Sequence, residues 1–344
     1  MRFTVPKLAE RLQTAADAYL FMEELRWGDG EPLCPHCDNI GASYIQPSNG
    51  HSRKTRTGAM SQRRVWRCLA CRKQFSVLTG TVFHGTKIPL RTWVLVVFEM
   101  CASKNGIAAR EVERKYGVCA RSAWFMMHRI REAMKNDSLV EMMSGTVVAD
   151  ETFFGGAARN KKVRDRFHGV THSATPEPII PGKREKMGPD PYWNKTAVLS
   201  LIDKETGEAR SRIIPDVTGA TLRKAIAEQV NMATTVLHTD EHRSYSVLRP
   251  ELLGHETVNH SEDQYVRYTA DGVVTSNQAE NFFSQLKRSI DGTHHHVSVE
   301  HLPRYLAEFD YRPSTRKMSD TARMRALIGR TAGRRLTYKR VTHN

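Results

Sequence analysis

The chain is 344 residues long, 40% hydrophobic and 26% charged, with a formal net charge of +15 and a pI near 9.7. This composition excludes a disordered chain, points to about two or three domains, and makes polyanions the natural partners, nucleic acid before membrane surface, because each Lys or Arg placed on a phosphate releases a counterion. With no apolar run of roughly 18 residues and no signal-peptide order in "MRFTVPKLAERLQTAADAYLFMEELRW", the expectation is a protein without a membrane partner, in the cytoplasm and associated with the nucleoid.

Residues 1–85 read as an N-terminal helix and a zinc ribbon. Cys34 and Cys37 in "CPHC" and Cys68 and Cys71 in "CLAC" form two knuckles, and in a reducing compartment such pairs signal metal rather than disulfides. Four soft thiolates suit a tetrahedral, structural Zn²⁺ site. The spacer between them predicts a β-hairpin with a polar, basic tip, a length the ribbon tolerates because loop-closure entropy grows slowly. His36 reads as a bystander in the first knuckle. Cys101 and Cys119 fall in helical patterns and are expected to be buried free thiols.

Residues 86–140 contain "GIAAREVERKYGVCARSAWFMMHRIREAMKN". Ile107, Val112, Tyr116 and Val118, then Ala123, Met126, Met127 and Ile130, give two apolar stripes interrupted at Gly117, the outline of a helix-turn-helix. Its second helix would carry Arg121, Arg129 and Arg131 into a DNA groove. A plain helical hairpin is the alternative.

Residues 141–330 follow a different rhythm. "VVADETFFG", residues 147–155, reads as a strand carrying two acids, of which only one can face a given site because neighbouring side chains alternate. The tract from 155 to 193 has no apolar period and reads as an insertion. Residues 196–215 read as a hairpin turning at Lys204 to Gly207, "TLRKAIAEQV" as a helix and "TTVLHTDEH" as a strand, with Asp240 at its end and His238 on the same face. "SNQAENFFSQLKRSI" reads as a helix with Glu280 and Lys287 about two turns apart on one face. Together these make an α+β layer. Three carboxylates, one of Asp150 and Glu151 together with Asp240 and Glu280, can then converge on a pair of hard divalent cations, Mg²⁺ or Mn²⁺, of the kind that stabilise both oxygens of an in-line phosphodiester displacement. Asp203 and Asp216 read as surface positions, and Glu308 and Asp310 as a solvated helix face. The histidines from His294 to His296 read as a surface or DNA-facing loop, and 331–344 as a basic tail.

The order of these motifs resembles the bacterial insertion-sequence transposases of the DDE superfamily, the ISXO-type class with an N-terminal zinc ribbon. The resemblance is carried by "LRWGDGEPLCPHC", "GVCARSAWFMMHRIREAM", "ADETFFGG", "HTDEHRSY" and "ENFFSQLKRSIDGTHHHVSVEHLPRYLAEFDYR". It implies an RNase H-like catalytic domain after the ribbon and the helix-turn-helix, with Asp150, Asp240 and Glu280 as the metal-binding triad. It also implies that Lys287, with Arg288 beside it, contacts the DNA backbone, and it matches His295 to a histidine such proteins keep. His294, Phe283 and the Pro313–Ser314 pair depart from the usual pattern. The activity implied is binding of the element's terminal inverted repeats, hydrolysis to free 3′-OH ends and transesterification into target DNA, by at least a dimer on double-stranded DNA. The alternatives are a transcription regulator with an inactive RNase H-like domain, and a nuclease without strand transfer.

Overall fold

The computed structural model describes residues 3–28, 30–47, 50, 53–54, 58, 60–136, 141–155, 195–259, 266–269 and 272–342. The expected insertion lies, from residue 156 onward, outside the described residues. Contacts divide the chain into two units: Met1–Val140 with Lys204–Arg210 and Asn281–Asn344, and Glu141–Asp203 with Ser211–Glu280. The span 141–330, read from sequence as one domain, is thus shared between them.

In the first unit, α1 (Val5–Arg11) leads to α2 (Ala15–Trp27). Thr14 starts α2 with a reciprocal capping pair: its hydroxyl accepts the Asp17 N–H at 3.1 Å and the Asp17 carboxylate accepts the Thr14 N–H at 2.8 Å, which satisfies donors the helix leaves open. The ribbon follows as β1 (Ala42–Tyr44), β2 (Arg53–Lys54), β3 (Met60–Ser61), β4 (Trp66–Cys68) and β5 (Gln74–Phe75). β1, β4 and β5 form an antiparallel sheet, and β2 pairs with β3 as the basic hairpin tip that the spacer predicts. So small a sheet has little core of its own. It leans on α2 instead: the buried Glu23 accepts from Trp66 Nε1 at 2.9 Å and Arg64 Nε at 2.7 Å, and Trp27 meets Trp66 edge to face.

Helices α3 (Leu90–Ala102), α4 (Ala109–Tyr116) and α5 (Ala120–Met134) come next. Gly117 ends α4 at φ +65°, a left-handed cap that glycine adopts without a Cβ penalty. The two helices and their turn stand where the apolar stripes predict. Val112, Ala123, Met126, Met127 and Ile130 all enter one core with Phe21, Trp93 and Met324.

The second unit is built on a sheet of β6 (Met143–Phe154), β7 (Thr196–Asp203), β8 (Ala209–Ile214), β9 (Val230–Thr239) and β10 (Gly254–Thr257), in the order β10-β9-β6-β7-β8. β6 runs antiparallel to β7 and parallel to β9, and β9 runs parallel to β10. Between β8 and β9 lies α6 (Gly219–Ala227), and a 3₁₀ turn, Arg243–Leu248, follows β9. Val147, Ala149, Leu199, Leu201 and Leu237 pack with Leu222, Ile226, Tyr245 and Leu248 into this unit's core. A short hairpin, β11 (Val266–Thr269) with β12 (Gly272–Thr275), precedes α7 (Asn277–Ser289).

The chain closes with α8 (Leu302–Ser314), α9 (Asp320–Gly329) and α10 (Tyr338–Thr342). Here two expectations are corrected. Glu308 is fully buried, not on a solvated face: its carboxylate accepts from Arg131 Nε at 2.6 Å and from Arg312. An unpaired buried charge would be costly, and two guanidiniums remove that cost. The start of the expected basic tail does not hang free either. Thr81 bridges Ala332, and Arg334 Nη1 donates to the carbonyls of Glu132 (2.9 Å) and Lys135 (2.7 Å), which closes the open C-terminus of α5.

Candidate functional site

The ribbon's two knuckles are built alike. In each, the residue after the second cysteine takes a positive φ, Asp38 at 52° and Arg72 at 62°. Its N–H returns to the carbonyl of the first cysteine, Asp38 to Cys34 at 3.0 Å and Arg72 to Cys68 at 3.1 Å. These turns gather Cys34, Cys37, Cys68 and Cys71 so that their Sγ atoms all lie within 4.8 Å of one another, with the Cys34–Cys71 and Cys37–Cys68 pairs at 3.7 Å. A tetrahedron with Zn–S bonds of about 2.3 Å has edges of about 3.8 Å, so the donor set fits a structural Zn²⁺. Backbone N–H groups of the second knuckle, that of Cys71 foremost, bring the Cys68 thiol down to about 7, whereas burial above all pushes that of Cys34 up.

The acids sit on the second unit's sheet. Asp150 lies mid-strand on β6, opposite Ser200 of β7, and Asp240 directly follows β9, the parallel neighbour of β6. Burial first, then the charges of Glu151 and Asp240, and to a lesser degree that of Glu280, push the Asp150 carboxyl up to about 7, against the opposing hydrogen bond from the Glu151 N–H. Glu151 takes the other face. Residues 147, 149, 199 and 201 on that face form the core, and there the buried Tyr245 hydroxyl donates to the Glu151 carboxylate. His242 Nδ1 lies 3.8 Å from the same carboxylate, and its backbone N–H donates to Asp240 at 3.0 Å. Glu280 stands exposed in the first turn of α7 and accepts from the Ser276 hydroxyl at 3.0 Å. Asp150 therefore feels the charges of Asp240 and Glu280; among the described residues, only the thiols converge as a close ligand cluster.

Tyr245 was not singled out from sequence, although it closes the stretch "HTDEHRSY". Only its register beneath β6, set by the 3₁₀ turn, reveals that it fixes Glu151.

The basic candidates divide. Lys287 and Arg288 are exposed on α7, and His295 is exposed at φ 60°, its Nδ1 3.1 Å from the Asp291 carbonyl oxygen. Of the histidine run, His294 departs from the expected surface loop: it is half-buried against Tyr305, and burial above all holds its ring down at about 4. Arg121 is exposed in the first turn of α5. Arg129 is not available to DNA, and its expected role is corrected. It is 5% exposed, donates Nη2 to the His84 carbonyl at 2.7 Å and packs its guanidinium over Trp93 and Phe125. Arg131 is withdrawn for the same reason, being held by Glu308. Cys119 is exposed at the start of α5, while Cys101 is buried as expected.

A four-thiol ribbon ahead of a mixed sheet that carries acids on neighbouring strands defines a class, the zinc-ribbon transposases. Residues 142–313 match the family described as ISXO2-like transposase domain, and the chain belongs to that family. Residues 13–74 match the transposase zinc-ribbon domain. The chain is also similar to an uncharacterized protein in transposable element ISH50 of Halobacterium salinarum (strain ATCC 700922 / JCM 11081 / NRC-1), 26% identical over 295 residues, which cover 85% of this chain and 88% of that protein. Among the described residues no helix is long and apolar enough to cross a membrane.

Proposed function

We propose that the protein is an active transposase that binds the terminal inverted repeats of its own element, cleaves them to 3′-OH ends and joins those ends to target DNA. One observation carries the reading: a chain of net charge +15 brings the charges of Glu151, Asp240 and Glu280 to bear on a largely buried Asp150. Such a grouping raises the energy of the ionised acids unless a cation shares them. Asp150, Asp240 and Glu280 would hold Mg²⁺ or Mn²⁺, hard ions that favour oxygen donors. When bound, two such ions stabilise the attacking and leaving oxygens of an in-line displacement. The strand order supports an RNase H-like assignment, with β6 central between an antiparallel and a parallel neighbour.

Within that reading the chain's own groups divide the work. Asp150 presents its carboxylate on the sheet face it shares with Val148, Val198 and Ile202, while Tyr245 holds Glu151 on the opposite face and so keeps a second acid from competing for the same cations. Arg121 serves the helix-turn-helix, and Lys287, Arg288 and His295 contact the DNA backbone, each cation displacing a counterion. Two ends must be brought together, so the active form is at least a dimer on DNA.

The alternative, a DNA-binding regulator with an inactive sheet domain, draws on the looseness of the acid grouping relative to the thiols. A cleavage assay on a labelled inverted-repeat end in Mg²⁺ separates the two. Wild type should cut, and Asp150→Asn should bind equally but not cut. Failure of the wild type to cut at saturating occupancy, or full cutting by Asp150→Asn, overturns the active reading.

A further inference from the structure

The first unit holds a cavity of about 330 Å³ that the transposition chemistry does not use. It lies where the start of α2 meets the start of α3, closed on one side by Ser61 to Arg63 after the ribbon's hairpin tip. Its volume is at the lower end of the range that holds a small ligand, about 300–1,000 Å³, and is several times what one phosphate group fills. Leu78 and Leu90, both buried, give it an apolar floor, and Tyr19 gives it an aromatic ring. Arg63, Lys87 and Arg91 stand at its rim.

No carboxylate lines this cavity. Arg63 donates to the Ser76 hydroxyl and Arg91 to the Ala9 carbonyl, but among the described residues neither they nor Lys87 is ion-paired. Helix α3 adds to the positive field. It starts at Leu90 with no side-chain cap at Pro89 and no acid in its first turn, so the positive end of its dipole is unanswered at the cavity wall. The occupant that fits must be anionic at the rim and flat or apolar at the floor.

We propose that this cavity binds one unpaired nucleotide of a DNA strand, with its base on Leu78, Leu90 and the Tyr19 ring and its phosphate between Arg63, Lys87 and Arg91. Stacking on an aromatic ring beside a basic rim is a sequence-tolerant way to hold single-stranded nucleic acid. None of its lining residues is one of the sheet's acids, so its test measures binding and does not depend on the protein's ability to cut.

The experiment uses the full chain and a 5′-phosphorylated thymidine tetranucleotide in which one base is 5-iodouracil. On irradiation the cross-link should map to the peptide containing Tyr19. Tetranucleotide affinity should fall at least tenfold in Lys87→Ala/Arg91→Ala, whose positions are exposed and leave the fold intact by thermal melting. Ala15→Leu, which narrows the cavity and leaves its charges alone, should weaken binding several-fold. Cross-links that map elsewhere, or no measurable binding, overturn the proposal. So does unchanged affinity in Ala15→Leu together with equal competition by inorganic phosphate, the signature of a simple phosphate anchor.

Discussion

Arg121 and Arg129 share one helix, and their spacing turns them about 80° apart around its axis. That rotation separates a solvent-facing cation from a core one. Arg121→Ala should weaken binding to the inverted repeats and lower the salt slope by about 1, while Arg129→Ala should leave the slope alone and cost about 1–3 kcal/mol of stability by orphaning the His84 carbonyl. Titrations at three salt concentrations, paired with thermal melts, check both, and a reversed pattern would return Arg129 to the DNA. His128 gives a second prediction. It is fully buried, and burial first, then the Arg131 charge, hold its ring down at about 2, with His301 and Arg304 adding to the effect and Glu308 opposing it. Its ordinary value is 6.5, so below that pH the unfolded chain takes up a proton the native ring refuses, and stability falls as pH drops from about 6.5. His128→Phe keeps a ring and removes the titration; its melting temperature should drop less than that of wild type between pH 7 and pH 5. At this scale the four ribbon cysteines were legible, because their chemistry is written in two short local spacings. The Arg131–Glu308 pair was not: its members are 177 residues apart, and a charged residue in a helix looks solvated until its partner is seen.

Strongly periodic elements could be read directly: the strands β6, β7 and β9 and the helices α4 and α5 lie where the apolar pattern puts them. What stayed hidden was which element leans on which. The ribbon's dependence on α2 runs through Glu23, one of three acids in that helix, which accepts from both Trp66 and Arg64. Among the described residues the ribbon's own core is Cys34, Cys68 and Phe75 with a few partly buried neighbours, so thiolate ligation must supply much of its stability. Metal analysis should find about one Zn²⁺ per chain. Strong chelation should unfold the ribbon first, shifting Trp66 emission to longer wavelength, while the helical far-UV signal from α3 to α5 persists. Glu23→Gln should make that loss easier without removing the zinc, because it weakens the brace and spares the ligands. An unchanged tryptophan spectrum in the metal-free chain would mean the sheet holds by packing alone.

For the molecule as a whole the question is how a chain of net charge +15 tolerates acids gathered on one sheet. The Asp150 carboxyl, pushed up to about 7 from an ordinary 3.8, keeps its proton in the native state over a range where the unfolded chain has lost it. Metal-free stability attributable to this group therefore falls as pH rises through that window and levels off above about 7. A tenfold change in an acid's ionisation constant corresponds to about 1.4 kcal/mol, so an effect of a few kcal/mol is the upper bound once partial exposure is allowed for. The buried histidines act in the opposite direction over part of the same range, which makes the comparison of wild type with Asp150→Asn the informative one. In EDTA, Asp150→Asn should melt higher than wild type at pH 8, and the gap should shrink towards pH 5. Adding Mg²⁺ at pH 8 should raise the wild-type melting temperature and close the gap, since the cation then shares the charge that burial penalises, whereas the amide variant should gain much less. Asp240→Asn and Glu280→Gln should reduce the Mg²⁺ gain too, and combining them with Asp150→Asn should add little, because groups that share a cation lose their effect together. A wild-type melting temperature that Mg²⁺ does not move at pH 8, with DNA absent, would separate these acids from metal binding and leave the sheet domain as a DNA-binding scaffold.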